Sequence, residues 1–263
     1  MLTLDGSMGE GGGQVLRTSL ALSLVTGTPF RINNIRARRS KPGLMRQHLM
    51  AVRAAGEVGQ AEISGATLES DEVVFMPGEV VSGEYYFDIG SAGSTTLVLQ
   101  TVLPPLLLAP NPSRLILEGG THNIHAPPFD FLLKAFLPLI NRMGPKVTAR
   151  LERPGFYPKG GGRMVVDIEP CPKLQPLQLM ERGAEIGRKV VVTVAGLPYH
   201  IVERELGVVH RRLALAEDQI AAQILPGEYG PGNVLTVEVV AEQVTEVFTG
   251  FGERGVPAES VAE

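Results

Sequence analysis

Two neighbouring segments carry residues suited to phosphate chemistry. The first is Gly9-Glu10-Gly11-Gly12-Gly13-Gln14-Val15-Leu16-Arg17; the second is Arg36-Ala37-Arg38-Arg39-Ser40-Lys41-Pro42-Gly43, leading to Arg46-Gln47-His48. Successive glycines open backbone conformations closed to other residues and leave amide N–H groups uncovered. Where such a run opens a helix, those amides and the helix dipole favour an anion. Arg17 adds a full charge one turn in, and guanidinium forks bind phosphate oxygens in bidentate geometry. Residues 31–53 hold Arg31, Arg36, Arg38, Arg39, Lys41, Arg46 and Arg53 with no acidic residue among them. Taken singly, the first segment reads equally as a glycine-rich hairpin and the second as a solvated basic face. Together they read as a phosphate site. It is not a P-loop, because neither this run nor Gly160-Gly161-Gly162 ends in Gly-Lys-Ser/Thr.

The elements that must position these residues recur. Leu2–Leu4 reads as a strand, the glycine turn leads to a helix near 13–26 with Leu16, Leu20 and Leu24 on one face, and Gly27 stops it. Phe30–Ile35 alternates as a strand, Pro42 opens a second helix to about Gly56, and strands follow near Ala61–Ile63 and Val73–Met76. The same order returns as Tyr85–Ile89, the turn Gly90-Ser91-Ala92-Gly93-Ser94, Thr95–Leu108, Arg114–Glu118, a helix opened by Pro127-Pro128, Lys146–Leu151 and Met164–Ile168. Both copies read β-α-β-α-β-β. The fold class expected is therefore α+β: repeated βαβαββ units, each a four-stranded sheet with two helices on one face, plus a small α+β insert. The expected divisions are 1–180 for a large domain (repeats at about 1–80 and 84–170), 181–250 for the insert, and 251–263 for the truncated start of a third repeat. In the insert, a strand at Lys189–Val194 precedes a helix over Ile201–Ile224 and strands at Val234–Val240 and Val244–Thr249.

Composition sets limits. In 263 residues, 44% are hydrophobic and 20% charged, an ordinary globular balance, and a formal net charge of −4 excludes a globally basic nucleic-acid binder. Cys171 is the one cysteine, so a disulfide framework and a thiolate metal cluster are excluded and a reducing, cytoplasmic setting is expected. The most apolar run, Leu97–Ala109, contains Gln100, Pro104 and Pro105, is too short to span a bilayer, and reads as a buried helix. No membrane partner is expected. His122 and His125, flanking Asn123, read as a polar surface loop, with a metal pair as the lesser alternative, and His200 and His210 read as solvated residues of the insert.

The residues quoted above, with Asp5-Gly6, Ile35-Arg36-Ala37-Arg38, Pro42-Gly43-Leu44, Gln47-His48-Leu49, Gln100, Gly119-Gly120-Thr121, Ala126-Pro127 and Gly155-Phe156-Tyr157-Pro158-Lys159-Gly160-Gly161-Gly162, resemble the RNA 3′-terminal phosphate cyclase family over nearly the whole chain. The resemblance implies an ATP-dependent enzyme that turns an RNA 3′-phosphate end into a 2′,3′-cyclic phosphate, releasing AMP and pyrophosphate, with a divalent metal (Mg or Mn). A histidine is adenylylated, AMP passes to the RNA 3′-phosphate, and the 2′-hydroxyl displaces it. By residue, the resemblance implies ATP binding by Gln100, Pro127 and Arg17, RNA and phosphate binding by Arg36, Arg38, Arg39, Gln47, His48 and Gln14, and a metal contact at Glu10. The family's nucleophilic histidine lies in a third-repeat segment absent here, so no catalytic residue is identifiable. Two other readings stand beside this one: a catalytically silent cyclase-like RNA-binding protein, and an enolpyruvyl transferase-like enzyme built from related repeats.

Overall fold

A computed structural model describes residues 1–263. The first unit runs β1 (Leu2–Asp5), α1 (Gln14–Thr26), β2 (Phe30–Asn33), α2 (Arg46–Val58), β3 (Glu62–Ser64) and β4 (Val73–Met76). Its sheet has the order β1-β2-β4-β3, with β1 and β2 parallel and the remaining pairs antiparallel. Phe30, Ile32, Val73 and Phe75 alternate inward and meet Leu16, Leu20 and Leu24 of α1 and Leu49 and Val52 of α2 in one core. Gly27 ends α1 in the left-handed conformation, as the sequence requires. α2 begins at Arg46 rather than at Pro42, because residues 42–45 are spent crossing from the basic loop to the helix.

The second unit repeats the plan: β5 (Glu84–Asp88), α3 (Thr95–Leu107), β6 (Ser113–Gly119), a helical segment, β7 (Lys146–Arg153) and β8 (Gly162–Glu169), in the order β5-β6-β8-β7. The helical segment is α4 (Phe129–Phe131), a π-turn (Leu132–Phe136) and α5 (Leu137–Asn141). Hydrophobic all round and containing Pro104 and Pro105, α3 is buried between the units: it packs on α1, on α2 and on its own sheet. The two helical faces thus cover one another, and Ala54 and Val58 of α2 join the core of the second unit.

The third unit is β9 (Glu185–Ala195), α6 (His200–Leu213), β10 (Ile220–Leu225), β11 (Gly232–Ala241), β12 (Thr245–Phe251) and α7 (Ala258–Ala262), with sheet order β10-β9-β11-β12. One expectation changes here. The helix expected over Ile201–Ile224 ends at Leu213, where Ala214 turns left-handed, and Ile220–Leu225 forms an edge strand parallel to β9. β12 pairs with β11 along Val234–Val240, and α7 packs on α6, tied by Arg204 to Glu259. No helix is long and apolar enough to cross a membrane.

Candidate functional site

The basic loop lies directly over the glycine turn. A Cβ built on Gly11 would stand 2.7 Å from the Arg38 Cβ, and one on Gly12 would stand 2.9 Å from Arg39 Nη2. On Gly13 it would run into the His48 imidazole and come within 2.8 Å of Arg17 Nη1. At Gly11 and Gly13 a side chain would collide with the packed stem of Arg38 and the buried ring of His48, whereas at Gly12 it would meet only the mobile end of Arg39. Gly13 is the N-cap of α1 and no side chain caps that helix, which leaves its first-turn amides without a capping partner.

Each group in the cluster is held. Arg17, almost fully buried, donates from Nε to Gln100 Oε1 at 3.0 Å and from Nη2 to Gln14 Oε1 at 2.8 Å. Burial lowers its pKa to about 10, opposed by the charge of Glu10, which leaves it a cation at neutral pH. Arg39 pairs with Glu10 at 2.8 Å, Arg38 donates to the Gly9 carbonyl at 2.9 Å, and Arg36 clamps its own loop through the carbonyls of Lys41 and Gly43. Burial also lowers the Arg36 pKa, helped by the charge of Arg39. His48 is buried between these cations; burial first, then Arg36 and Arg17, drive its pKa down to about 3, and its Nδ1 has no partner. It is a neutral imidazole set against the helix N-terminus.

Gln47 faces the other way. Its Oε1 accepts from the Ser94 amide at 2.6 Å, and the Ser94 hydroxyl accepts from the Leu97 amide at 3.3 Å. The second unit's glycine turn and the start of α3 are thereby closed by side chains, while their first-unit counterparts carry no such cap. Arg46 fixes the same junction by donating to the Gly90 carbonyl at 2.6 Å.

A cleft of about 1130 Å³ opens between the second and third units, walled by Gln47, His122, Tyr157, His200, Arg204 and Arg254 among others. Pro127 is exposed, and its carbonyl accepts from Thr96 Oγ1 at 2.7 Å. His122 is not in a polar surface loop. It is buried, stacks on Phe156 with ring centroids 5.1 Å apart, and contacts Asp130 Oδ2 at 3.1 Å and Thr121 Oγ1 at 2.8 Å. Burial raises the Asp130 pKa, but the hydrogen bond and charge of His122 outweigh it and hold the carboxyl below its usual value. His125 stays exposed. The third-unit wall was not legible beforehand, because His200, Arg204 and Arg254 sit in sequence surroundings typical of solvated residues.

Fold and site define an α+β protein of repeated units that offers an uncapped, cation-lined helix N-terminus beside an interdomain cleft. A sequence model described as "RTC: RNA 3′-terminal phosphate cyclase" matches residues 8–250. Among curated proteins carrying the name RNA 3′-terminal phosphate cyclase, the chain is 52% identical to that of Koribacter versatilis over all of its own length and 74% of the relative's. It is 54% identical to that of Pseudomonas fluorescens, over all of its length and 76% of the relative's, and 53% identical to that of Ralstonia nicotianae, over 99% and 75%. The chain belongs to the RNA 3′-terminal phosphate cyclase family.

Proposed function

We propose that the Gly9–Gly13 turn, with Arg17, Arg39 and His48, seats the terminal phosphate of an RNA 3′ end, and that the adjoining cleft takes ATP. The overall reaction joins the RNA 2′-oxygen to the 3′-phosphorus, giving the cyclic phosphate, while ATP leaves as AMP and pyrophosphate. A phosphate monoester dianion offers the 2′-oxygen no good leaving group, so adenylylation of the 3′-phosphate must precede cyclisation; a histidyl–AMP intermediate divides that transfer into easier steps. The observation that carries the reading is the occupation of all three glycine positions by Arg38, Arg39, His48 and Arg17.

Within this scheme Arg17 and Arg39 bind phosphate oxygens, and Arg36 and Arg38 shape the loop that presents Arg39. Gln14 and Gln100 orient Arg17, with Pro127 left to border the nucleotide. His48, kept neutral, adds a polar contact that does not compete for the anion. Glu10 is the carboxylate on the turn, and no group of three or more His, Cys, Asp or Glu residues is arranged to hold a metal. Glu10, exposed and paired with Arg39, would be the protein's one carboxylate contact to a Mg or Mn ion whose other ligands are phosphate oxygens. Such an ion would neutralise charge on the phosphates being exchanged. The nucleophilic step is assigned to none of the five histidines; His48 is desolvated between cations and both ring nitrogens of His122 are engaged.

Binding tests the phosphate seat. A 3′-phosphorylated oligoribonucleotide is expected to bind more tightly than its 3′-hydroxyl twin, and Arg39→Ala to abolish the difference; equal binding of both ends by the wild type refutes the assignment. With α-labelled ATP and Mg or Mn, no hydroxylamine-sensitive label is expected on this chain. Label would move the nucleophile to His125 or His200, which border the cleft with His122 but, unlike it, have no hydrogen-bonded ring nitrogen.

A further inference from the structure

The loop Phe156–Gly162 presents an aromatic ring that the scheme above does not use. Tyr157 is 76% exposed, the most exposed aromatic residue of the chain, yet everything around it is anchored. Phe156 is buried and stacked on His122. The Gly160 amide donates to the Phe156 carbonyl at 2.6 Å, closing the turn. Lys159 donates to the Glu228 carbonyl in the third unit, and Arg153 to the Gly161 carbonyl. Gly160 sits so close to the second glycine turn that a Cβ on it would be 2.7 Å from the Ala92 Cα and 2.8 Å from the Ser91 carbonyl oxygen. A large ring on a fixed loop with its face in solvent loses little order on stacking and exposes apolar surface until something covers it.

Its position identifies what covers it. Tyr157 and Gln47 border the same cleft. The turn that Gly160 abuts is the one whose Ser94 amide is held by Gln47 and whose Gly90 carbonyl is held by Arg46. Gln47 is followed by His48, which stands against Gly13. A continuous path of packed groups thus joins the Tyr157 loop to the phosphate seat along the rim. A phosphate held at Gly13 leaves the nucleoside attached to it free to lie along the rim that Gln47 and Tyr157 share.

We propose that Tyr157 is the stacking platform for the unpaired base at the RNA 3′ end. The inference rests on the phosphate-seat reading. Stacking of this kind would favour single-stranded ends without favouring one base, since every base has a π-face. No bond is made or broken at the ring.

The test uses a 5′-fluorescein oligoribonucleotide with a 3′-phosphate, ending either in a normal nucleotide or in an abasic ribose, followed by anisotropy without ATP. Tyr157→Ala is expected to weaken binding of the normal end roughly 5- to 100-fold, and Tyr157→Phe to leave it within about twofold. The abasic end should bind wild type as weakly as the normal end binds Tyr157→Ala, and the variant should no longer distinguish the two ends. Tyr157→Ala should keep the preference for 3′-phosphate over 3′-hydroxyl, which belongs to the phosphate seat. A wild type without that preference condemns the seat; a wild type with it, whose abasic penalty survives unchanged in Tyr157→Ala, condemns the platform alone. A non-hydrolysable ATP analogue should bind Tyr157→Ala as it binds wild type; loss there, with RNA binding intact, would give the ring to adenine and overturn the proposal.

Discussion

Arg17 Nε donates to Gln100 Oε1 at 3.0 Å, so a guanidinium from one repeat is aimed by an amide from the next. Gln100→Ala leaves that buried N–H without its partner and lets the guanidinium swing. Losing one hydrogen bond to a charged group is worth about 1.5–3 kcal/mol, so affinity for a 3′-phosphorylated oligoribonucleotide should fall at least tenfold. Isothermal titration of the variant checks this; unchanged affinity would mean that Gln14 alone orients Arg17.

Gly13 and Gly9 should respond in opposite ways to the same methyl group. Gly13 has an ordinary φ of −80°, so alanine suits the backbone but collides with His48 and Arg17. Gly9→Ala meets nothing within 4 Å, but its φ of +62° strains any larger residue by about 1 kcal/mol. Gly13→Ala is expected to lose phosphate binding by tenfold or more, whereas Gly9→Ala should lower the melting temperature and keep most binding. Thermal melts paired with anisotropy separate the two.

Acid should destabilise the fold through His48. The unfolded imidazole binds a proton below its ordinary pKa of 6.5, while the native one resists protonation until about 3. Stability present above pH 6.5 is therefore lost as the pH falls towards 3, by about 1.4 kcal/mol per pH unit at full linkage. His48→Gln removes that term. Urea denaturation at pH 7 and pH 5 should show the wild type losing more stability than the variant over this interval.

Glu205 carries the reverse dependence. It is fully buried on α6, its Oε2 accepts from Asn233 at 3.1 Å, its Oε1 has no partner, and burial raises its pKa against the opposing Asn233 hydrogen bond. Above the unfolded value of 4.5 the unfolded chain releases a proton that the native chain holds, so stability falls as the pH rises through the native pKa. Glu205→Gln keeps a side-chain oxygen for Asn233 without a charge to desolvate. It should raise the melting temperature at pH 7, with the gain shrinking towards pH 4.

Much of the fold was legible because its signals are local. Leu16, Leu20 and Leu24, the alternation of Phe30 and Ile32, and the two glycine turns each report their element from within a dozen residues, and their recurrence fixed the βαβαββ plan. What escaped depended on distant partners. Ile220 and Ile224 keep helical spacing, but pairing with Val190–Ala195 makes them a strand. Val247–Phe251 reads as a strand in isolation, and its place at the sheet edge comes from pairing with β11. At the site, the arginines and glycines were evident in sequence. That Glu10 faces Arg39, that Gln47 serves the second turn, and that His122 is buried against Phe156 all depend on contacts across 29 or more residues.

The seal that Gln47 places on the start of α3 determines valence. A duplicated unit would ordinarily present its binding feature twice, yet here one copy spends a side chain to occupy the other's helix terminus. Under the proposed seat, the repeat doubles the scaffold without doubling the binding feature, and a 3′-phosphorylated oligoribonucleotide should saturate at a single equivalent per chain.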